Sequence, residues 1–337
     1  MSKHKITKIS DVQQPLLLEF YKRVYFNRYK NLINNWRWWY RSDLSQNETL
    51  ILSLEEKIIG QAGLQPVKLI INGKEILAAW FLDFAILPEF RGKGFGKILT
   101  KKLMETCPNL ITFCNHKTLK IVRKLGWQSN SAISRLARPI NPLKFIPVIK
   151  NFNFGDQIFR KLIKKKFTFK DRIEPREIIN NYIHLRESFN KRNINIDKNF
   201  PFILRDEEWL NWRLLECPYK KDLYFFEYKN NFSIVHIFFN KGVKRMNILF
   251  SYSVGEPHEP ELFGLIMNWA INNNIDLVWA IKKDDDEIFK DIFPKKFKKP
   301  LTYASWSSTT DISLAIKNEP YNSEGIDSDI DIKMFAD

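Results

Sequence analysis

The 337-residue chain is short of the residues that several common kinds of site require. Its three cysteines, Cys107, Cys114 and Cys217, have no Cys-x-x-Cys spacing and no clustering with His4, His116, His184, His236 or His258. That excludes a disulfide framework, and neither zinc nor any other metal is expected. No apolar run approaches the roughly eighteen residues of a membrane span, and the opening "MSKHKITKISDVQQ" lacks an apolar core of signal-peptide length. A cytoplasmic location is the expectation. Acids are also scarce, 38 against 54 Lys and Arg, which leaves a net charge of +16. Such a field favours nucleic acid, anionic lipid or polyphosphate ligands. A joint enrichment in Lys, Asn and Ile equally fits a bias of composition that would make any protein basic.

What is present is the material of a packed globular protein. Aromatic residues make up 14% and hydrophobic residues 44%, and the length suits two domains with sizeable cores. A strand, "KITKI", precedes two helices, the second ending in "NNWRWWYRSDL". Residues 49–87 read as an antiparallel meander with a hairpin at Asn72-Gly73. A helix to about residue 106, a strand "NLITFCN", a helix "KTLKIVRKLG" and a strand near "SAISRLA" follow.

Residues 144–172 carry nine Lys or Arg against two acids and read as a basic helical linker. From residue 173 the order starts again. Helices near 175–190 and 206–216 lead to strands "LYFFEY", "FSIVHIFF" and "MNILFSY", a helix over 260–273, a strand "IDLVWAI" and a short helix "DDEIFKDI". Trp36-Arg37 and Trp212-Arg213 close corresponding helices, a short echo that suggests two copies of one architecture.

Glycine is sparse, 12 in all, yet Gly92, Gly94 and Gly96 stand on alternate positions of "DFAILPEFRGKGFGKILTKKL", residues 83–103. A strand-turn-helix junction of this kind turns backbone N–H groups toward one point, where the helix N-terminus adds partial positive charge. Arg91 and Lys93 supply full charges, and the expected ligand is an anion. The spacing fits neither a phosphate loop nor a Gly-x-Gly-x-x-Gly dinucleotide turn.

Arg-x-x-Gly-x-Gly after an apolar strand and Pro88 resembles the acyl-CoA-binding motif of the GNAT acetyltransferases. The meander, "ITFC" and "NHKTLKIVRKLGW" extend that resemblance over roughly residues 5–140. It implies a mixed α/β sheet built as two tandem GNAT-like domains, 1–143 and 173–337, joined by 144–172. The second is degenerate, because "GEPHEPELFG" lacks the glycine spacing.

The resemblance further implies that the amides of Arg91, Gly92, Lys93, Gly94, Phe95 and Gly96 hold the diphosphate of an acyl-CoA, and that main chain at Ala85 and Ile86 pairs with its pantetheine arm. Asn115 matches an Asn that commonly faces that arm. Asp83 is the candidate general base, and a satisfied core carboxylate is the other reading, since an acid in a buried strand needs partners or a function. His116 is a second candidate base. Val122 stands where the family often has a thiolate-protonating Tyr.

Tandem chains of this length resemble the N-acyltransferases of nucleotide-linked (dTDP) amino sugars in bacterial polysaccharide pathways, which use acetyl or hydroxybutanoyl donors. On that reading Trp36, Arg37, Trp209, Trp212 and Arg213 face the acceptor, with Arg213 meeting a diphosphate and a Trp stacking on a base. Alternatives are a peptide or protein amine as acceptor, or a basic nucleic-acid binder on the same scaffold. The tandem ligases that use aminoacyl-tRNA do not rely on such a glycine turn.

Overall fold

The computed structural model describes residues 4–26, 28–41, 48–145, 160–163, 171–195, 202–252, 259–283, 292–293 and 299–309. Strand β1 (His4–Lys8) leads to α1 (Gln14–Val24) and α2 (Tyr29–Tyr40). Pro15 in the first turn of α1 suits a helix start, where an N–H would be unsatisfied anyway. Leu17, Phe20 and Tyr21, then Leu32, Ile33, Trp36, Trp39 and Tyr40, recur at helical spacing and are buried. The meander is β2 (Leu50–Leu54), β3 (Lys57–Ile71) and β4 (Lys74–Ile86), all antiparallel, with Asn72 and Gly73 at positive φ in its hairpin. Helix α3 (Phe95–Thr106), β5 (Asn109–Cys114), α4 (His116–Arg123) and β6 (Gln128–Pro139) complete this stretch.

The second half repeats the order. A two-residue strand β7 (Arg176–Glu177), α5 (Tyr182–Asn195), a second short strand β8 (Phe202–Ile203) and α6 (Glu207–Leu210) lead to the meander. The last of these continues into a π-helical turn, Asn211–Leu215. The meander is β9 (Leu223–Tyr228), β10 (Asn231–Asn240) and β11 (Val243–Tyr252), followed by α7 (Glu259–Asn272), β12 (Leu277–Lys283) and β13 (Lys299–Ser307). Each meander's last strand pairs in parallel with the strand after the next helix, β4 with β5 and β11 with β12. The short helix expected over 285–292 and most of the basic linker lie outside the described residues. Within the linker, Arg160 is buried and bonds the Ile275 carbonyl at 2.8 Å and Asp276 at 3.0 Å, so this basic residue docks on the second half.

One mixed sheet runs through both halves in the order β1-β2-β3-β4-β5-β13-β6-β12-β11-β10-β9-β7, with β8 added to β3. The exchange at its centre departs from a reading in which each half closes its own sheet. β6, which ends the first stretch, pairs with β12, while β13 from the far end of the chain lies between β5 and β6. β13 has no counterpart in the order of elements expected from the sequence.

The helix-end echo also shifts by two residues. The reciprocal pair is Trp38 with Trp212, whose indole N–H groups donate to each other's carbonyls at 2.9 and 2.7 Å. Separate cores form beneath α1 to α4, beneath α7, and beneath α5 and α6. An ionic clasp joins the halves: Arg41 meets Glu208 at 2.6 Å, and Lys68 meets Asp206 at 2.6 Å and Glu208 at 3.2 Å.

Candidate active site

β4 carries one residue more than β3 between the pairs Gly63–Leu82 and Gln61–Ala85, which makes a bulge at Asp83 and Phe84. Asp83 takes φ of 49°, a left-handed conformation rare outside glycine. A Cβ at Gly63 would stand 2.6 Å from the Leu82 carbonyl and 2.8 Å from the Tyr40 ring, so only glycine lets β3 pass the bulge this closely. Five groups hold the deformation. The Asp83 side chain is 2% exposed and pairs with Arg28, while Trp39 Nε1 and Tyr40 Oη donate to its Oδ2 at 2.9 and 3.1 Å. Its carbonyl accepts from Tyr25 Oη and, at 3.5 Å, from Gln61 Nε2.

Enclosed by a cation and two donors, this carboxylate has the geometry of a satisfied core group rather than of a base open to substrate. Arg28 and Tyr25 went unread in the sequence. The one signal was that a buried acid demands a cation, and the α1–α2 connection is where Arg28 stands.

Past the bulge, β4 and β5 part company. Their parallel pairing covers only Ala79–Leu110 and Trp80–Ile111, so Ala85 and Ile86 pair with β3 on one edge and leave the other edge open. A cleft of about 400 Å³ lies there, bounded by Tyr25, Phe84, Ala85, Ile86, Arg91 and Gly92 on one side. Gly96, Asn115, Lys117, Thr118 and Ile121 bound the other.

The turn above it has Gly92 and Gly94 at φ of 79° and 86°, with Gly94 capping α3. Lys97 and Ile98 N–H donate to the Gly94 carbonyl, whereas the preceding helical amides, Phe95 and Gly96, have no intrahelical acceptor. The Arg91 amide is a different case, because it already donates to Pro88 O at 3.2 Å. That leaves the amides from Gly92 on as the ones an anion could meet. The Arg91 side chain is anchored by its Nε on Ile86 O at 2.9 Å. Lys93 lies over the Phe90 ring at 5.3 Å.

Asn115 caps α4, accepting from Lys117 and Thr118 N–H at 3.0 Å each, and lines the cleft. His116 is exposed at the start of α4 and does not line it. Val122 is fully buried in the core, while its neighbour Ile121 lines the cleft together with Lys117 and Thr118. Burial pushes the Cys114 thiol up to about 12, which keeps it protonated and unreactive.

Residues 12–127 match the model of the Acetyltransferase (GNAT) family. That stretch is similar to a GNAT acetyltransferase domain. Solved structures resemble the chain over nearly its whole length. A GCN5-related N-acetyltransferase from Kribbella flavida has 12% identity and a TM-score of 0.58, over 90% of this chain and 70% of that one. The N-myristoyltransferase of Saccharomyces cerevisiae, solved with bound myristoyl-CoA, has 13% identity and a TM-score of 0.57, over 91% and 83%. A putative acetyltransferase from Pyrococcus horikoshii has 9% identity and a TM-score of 0.54, over 92% and 91%. At these identities the likeness is one of fold, and it extends beyond that stretch into the second half. No curated protein matches the chain in sequence.

The residues expected to face an acceptor are drawn together, but into the junction of the halves. Trp36 is 9% exposed and packs in the first core, with exposed Arg37 5.3 Å from its ring. Trp209 and Trp212, each 4% exposed, pack in the core beneath α5 and α6. Arg213 is 1% exposed, stacks within 6 Å of Trp38, Trp39, Trp212 and Tyr219, and donates to Tyr219 Oη. None of these buried rings lies open to a base. Beside them is a cavity of about 150 Å³ lined by Asn31, Asn35, Trp38, Trp39, Pro218 and Tyr219. Among the described residues no helix is long and apolar enough to cross a membrane, and no three His, Cys, Asp or Glu gather as metal ligands would.

Proposed function

We propose that the chain is a CoA-dependent N-acyltransferase that moves an acetyl or hydroxybutanoyl group to the amine of a nucleotide-linked amino-dideoxy sugar. The observation that carries the donor half is the unpaired edge of β4 beside an amide-rich turn in one cleft. A diphosphate suits the N–H groups from Gly92 to Gly96 with Arg91 and Lys93, and an amide-bearing arm suits the open main chain at Ala85 and Ile86. Asn115 closes the opposite wall.

The chemistry asks for a carbonyl held in place and a leaving thiolate. The neutral amine attacks the thioester carbonyl carbon, a C–N bond forms and the C–S bond breaks; the nitrogen gives up a proton to solvent, and the departing sulfur takes one from a donor that solvent reprotonates. Val122 cannot supply that proton. Tyr25 lines the cleft with its hydroxyl on Asp83 O, and we assign it that role in place of the missing helix tyrosine. The Asp83 carboxylate acts by fixing the bulge, through Arg28, Trp39 and Tyr40.

For the acceptor, the 150 Å³ cavity offers what a pyranose ring needs, two indoles and a phenol for its apolar faces and two side-chain amides for its hydroxyls. In this reading the second half is a degenerate GNAT-like unit over 173–337. It walls the acceptor site through Pro218 and Tyr219, with Trp212 and Arg213 bracing Trp38 and Tyr219 from behind.

Thiol release from a panel of acyl-CoAs, with nucleotide amino sugars and peptide amines as acceptors, tests this. Turnover with a nucleotide amino sugar is expected. Turnover with peptide amines alone would reject the acceptor, and none with any amine would reject the activity.

A further inference from the structure

A groove on the second half of the sheet belongs neither to the donor cleft nor to the acceptor cavity. It encloses about 490 Å³ and is lined by Asp222, Tyr224, Ile237, Phe239, Lys244 and Trp269. Strand register explains the grouping. Tyr224 of β9 is opposite Val235 of β10, and Phe239 of β10 is opposite Lys244 of β11. Alternation therefore sets Tyr224, Ile237, Phe239 and Lys244 on one face, where Tyr224, Ile237 and Trp269 pack against the core beneath α7. β9 stops pairing at Leu223–His236, while β10 runs on to Asn240. The groove opens where β9 falls short, and Asp222 stands at its rim, one residue before β9 begins.

The polar groups of this groove divide into settled and unsettled ones. The Trp269 indole N–H donates to Glu174 at 2.9 Å, and Lys244 Nζ donates to the Asn273 carbonyl at 3.1 Å. Asp222 differs: among the described residues no cation lies in ion-pair range of its carboxylate and no donor bonds it. Burial against the groove is what raises its pKa. In a chain with a net charge of +16, an acid that finds no basic partner is conspicuous.

The surroundings say what would complete it. Glu177 of β7 is opposite Tyr224, and after burial it is Glu177 and Asp222 that push the Tyr224 hydroxyl pKa up, so this end of the groove is negative. Lys244 stands two strands away on β11, ~10 Å across the sheet. Between them are the rings of Tyr224, Trp269 and Phe239, the last 71% exposed. Ring faces attract cations, and an apolar groove with one charged group selects a ligand of apolar body and opposite charge. An anion would meet Asp222, and a neutral ligand would cover that carboxylate without compensating it.

We propose that this groove binds an organic cation, an ammonium group carried on an apolar or aromatic body, with Asp222 as its counter-ion and Tyr224, Phe239 and Trp269 as its walls. From β4 to β11 the sheet runs through five strand spacings, ~24 Å. An amine seated here cannot reach a thioester on the edge of β4. The ligand is therefore one that the chain holds rather than one that it acylates, and the site stands or falls separately from acyl transfer.

Phenethylammonium is the probe, titrated into the full chain by calorimetry, with phenylacetate as its anionic counterpart of the same body. Saturable binding of the cation is expected, weakened about tenfold or more in Asp222→Asn and retained within about threefold in Asp222→Glu, which keeps the charge. Phe239→Ala should weaken it by about threefold, and phenylacetate should bind at least about tenfold more weakly than the cation. Asp222 and Phe239 are both exposed, so these variants keep the fold, which a circular dichroism melt of each verifies. No saturable binding of phenethylammonium, an unchanged affinity in Asp222→Asn, or phenylacetate bound as tightly as the cation overturns the proposal. Acyl-CoA is absent from the titration, so that failure would leave the acyltransferase reading standing.

Discussion

The Asp83 carboxylate, 2% exposed, accepts from Trp39 and Tyr40 and faces Arg28. Removing it leaves a buried cation behind. Asp83→Ala is expected to lower stability by about 3–5 kcal/mol, read from urea unfolding; a change below 1 kcal/mol would contradict the enclosure described here. Tyr25→Phe, which deletes the proposed proton donor, is expected to lower kcat roughly a hundredfold with little change in the KM for acyl-CoA, and an unchanged kcat refutes that role.

His236 offers a test by pH. Burial first, and then Arg213, pull its imidazole from 6.5 to about 3, so it stays neutral between the rings of Tyr219 and Phe238. The unfolded chain binds a proton below pH 6.5 and the folded chain does not until about 3. Stability is therefore full above 6.5 and falls with pH in that window, by about 2 kcal/mol at pH 5. His236→Phe should flatten that part of the curve. At this scale the sequence pointed to Asp83 as an oddity, but its partners, 43 to 58 positions away for the tyrosines and Trp39, come from packing that no local pattern contains.

The strand-turn-helix element was the most legible part of the chain, because its requirements are local. Alternate glycines at positive φ, an apolar strand before and an amphipathic helix after can each be read within twenty residues. The bulge and the parting of β4 from β5 could not, since pairing ends where two strands distant in sequence diverge. The same locality makes the element testable. Gly94→Glu places a charged side chain at φ of 86° in the cradle. CoA affinity should fall beyond detection by calorimetry while the unfolding midpoint moves modestly, and an unchanged affinity refutes the cradle.

Across the whole molecule, the two halves share one sheet by exchanging strands. Residues 1–143 alone would leave β5 without β13 and β6 without β12. That fragment is expected to show no cooperative unfolding transition, by calorimetry, and to recover one when 173–337 is supplied. A cooperative transition of the fragment alone would argue against the exchange. The sequence told the repeated order of elements but not this closure, because "LTYASWS" of β13 alternates like many edge strands and nothing nearby says which partner it joins.

The proposed acyl transfer requires a thioester donor lying along the open edge of β4 with its phosphates on the α3 turn. Residue-resolved amide exchange with and without acetyl-CoA tests that most directly. The prediction is slowed exchange at Phe84, Ala85 and Ile86 and at Phe95 and Gly96. Unchanged exchange at all of these, with protection confined to the second half, would contradict it.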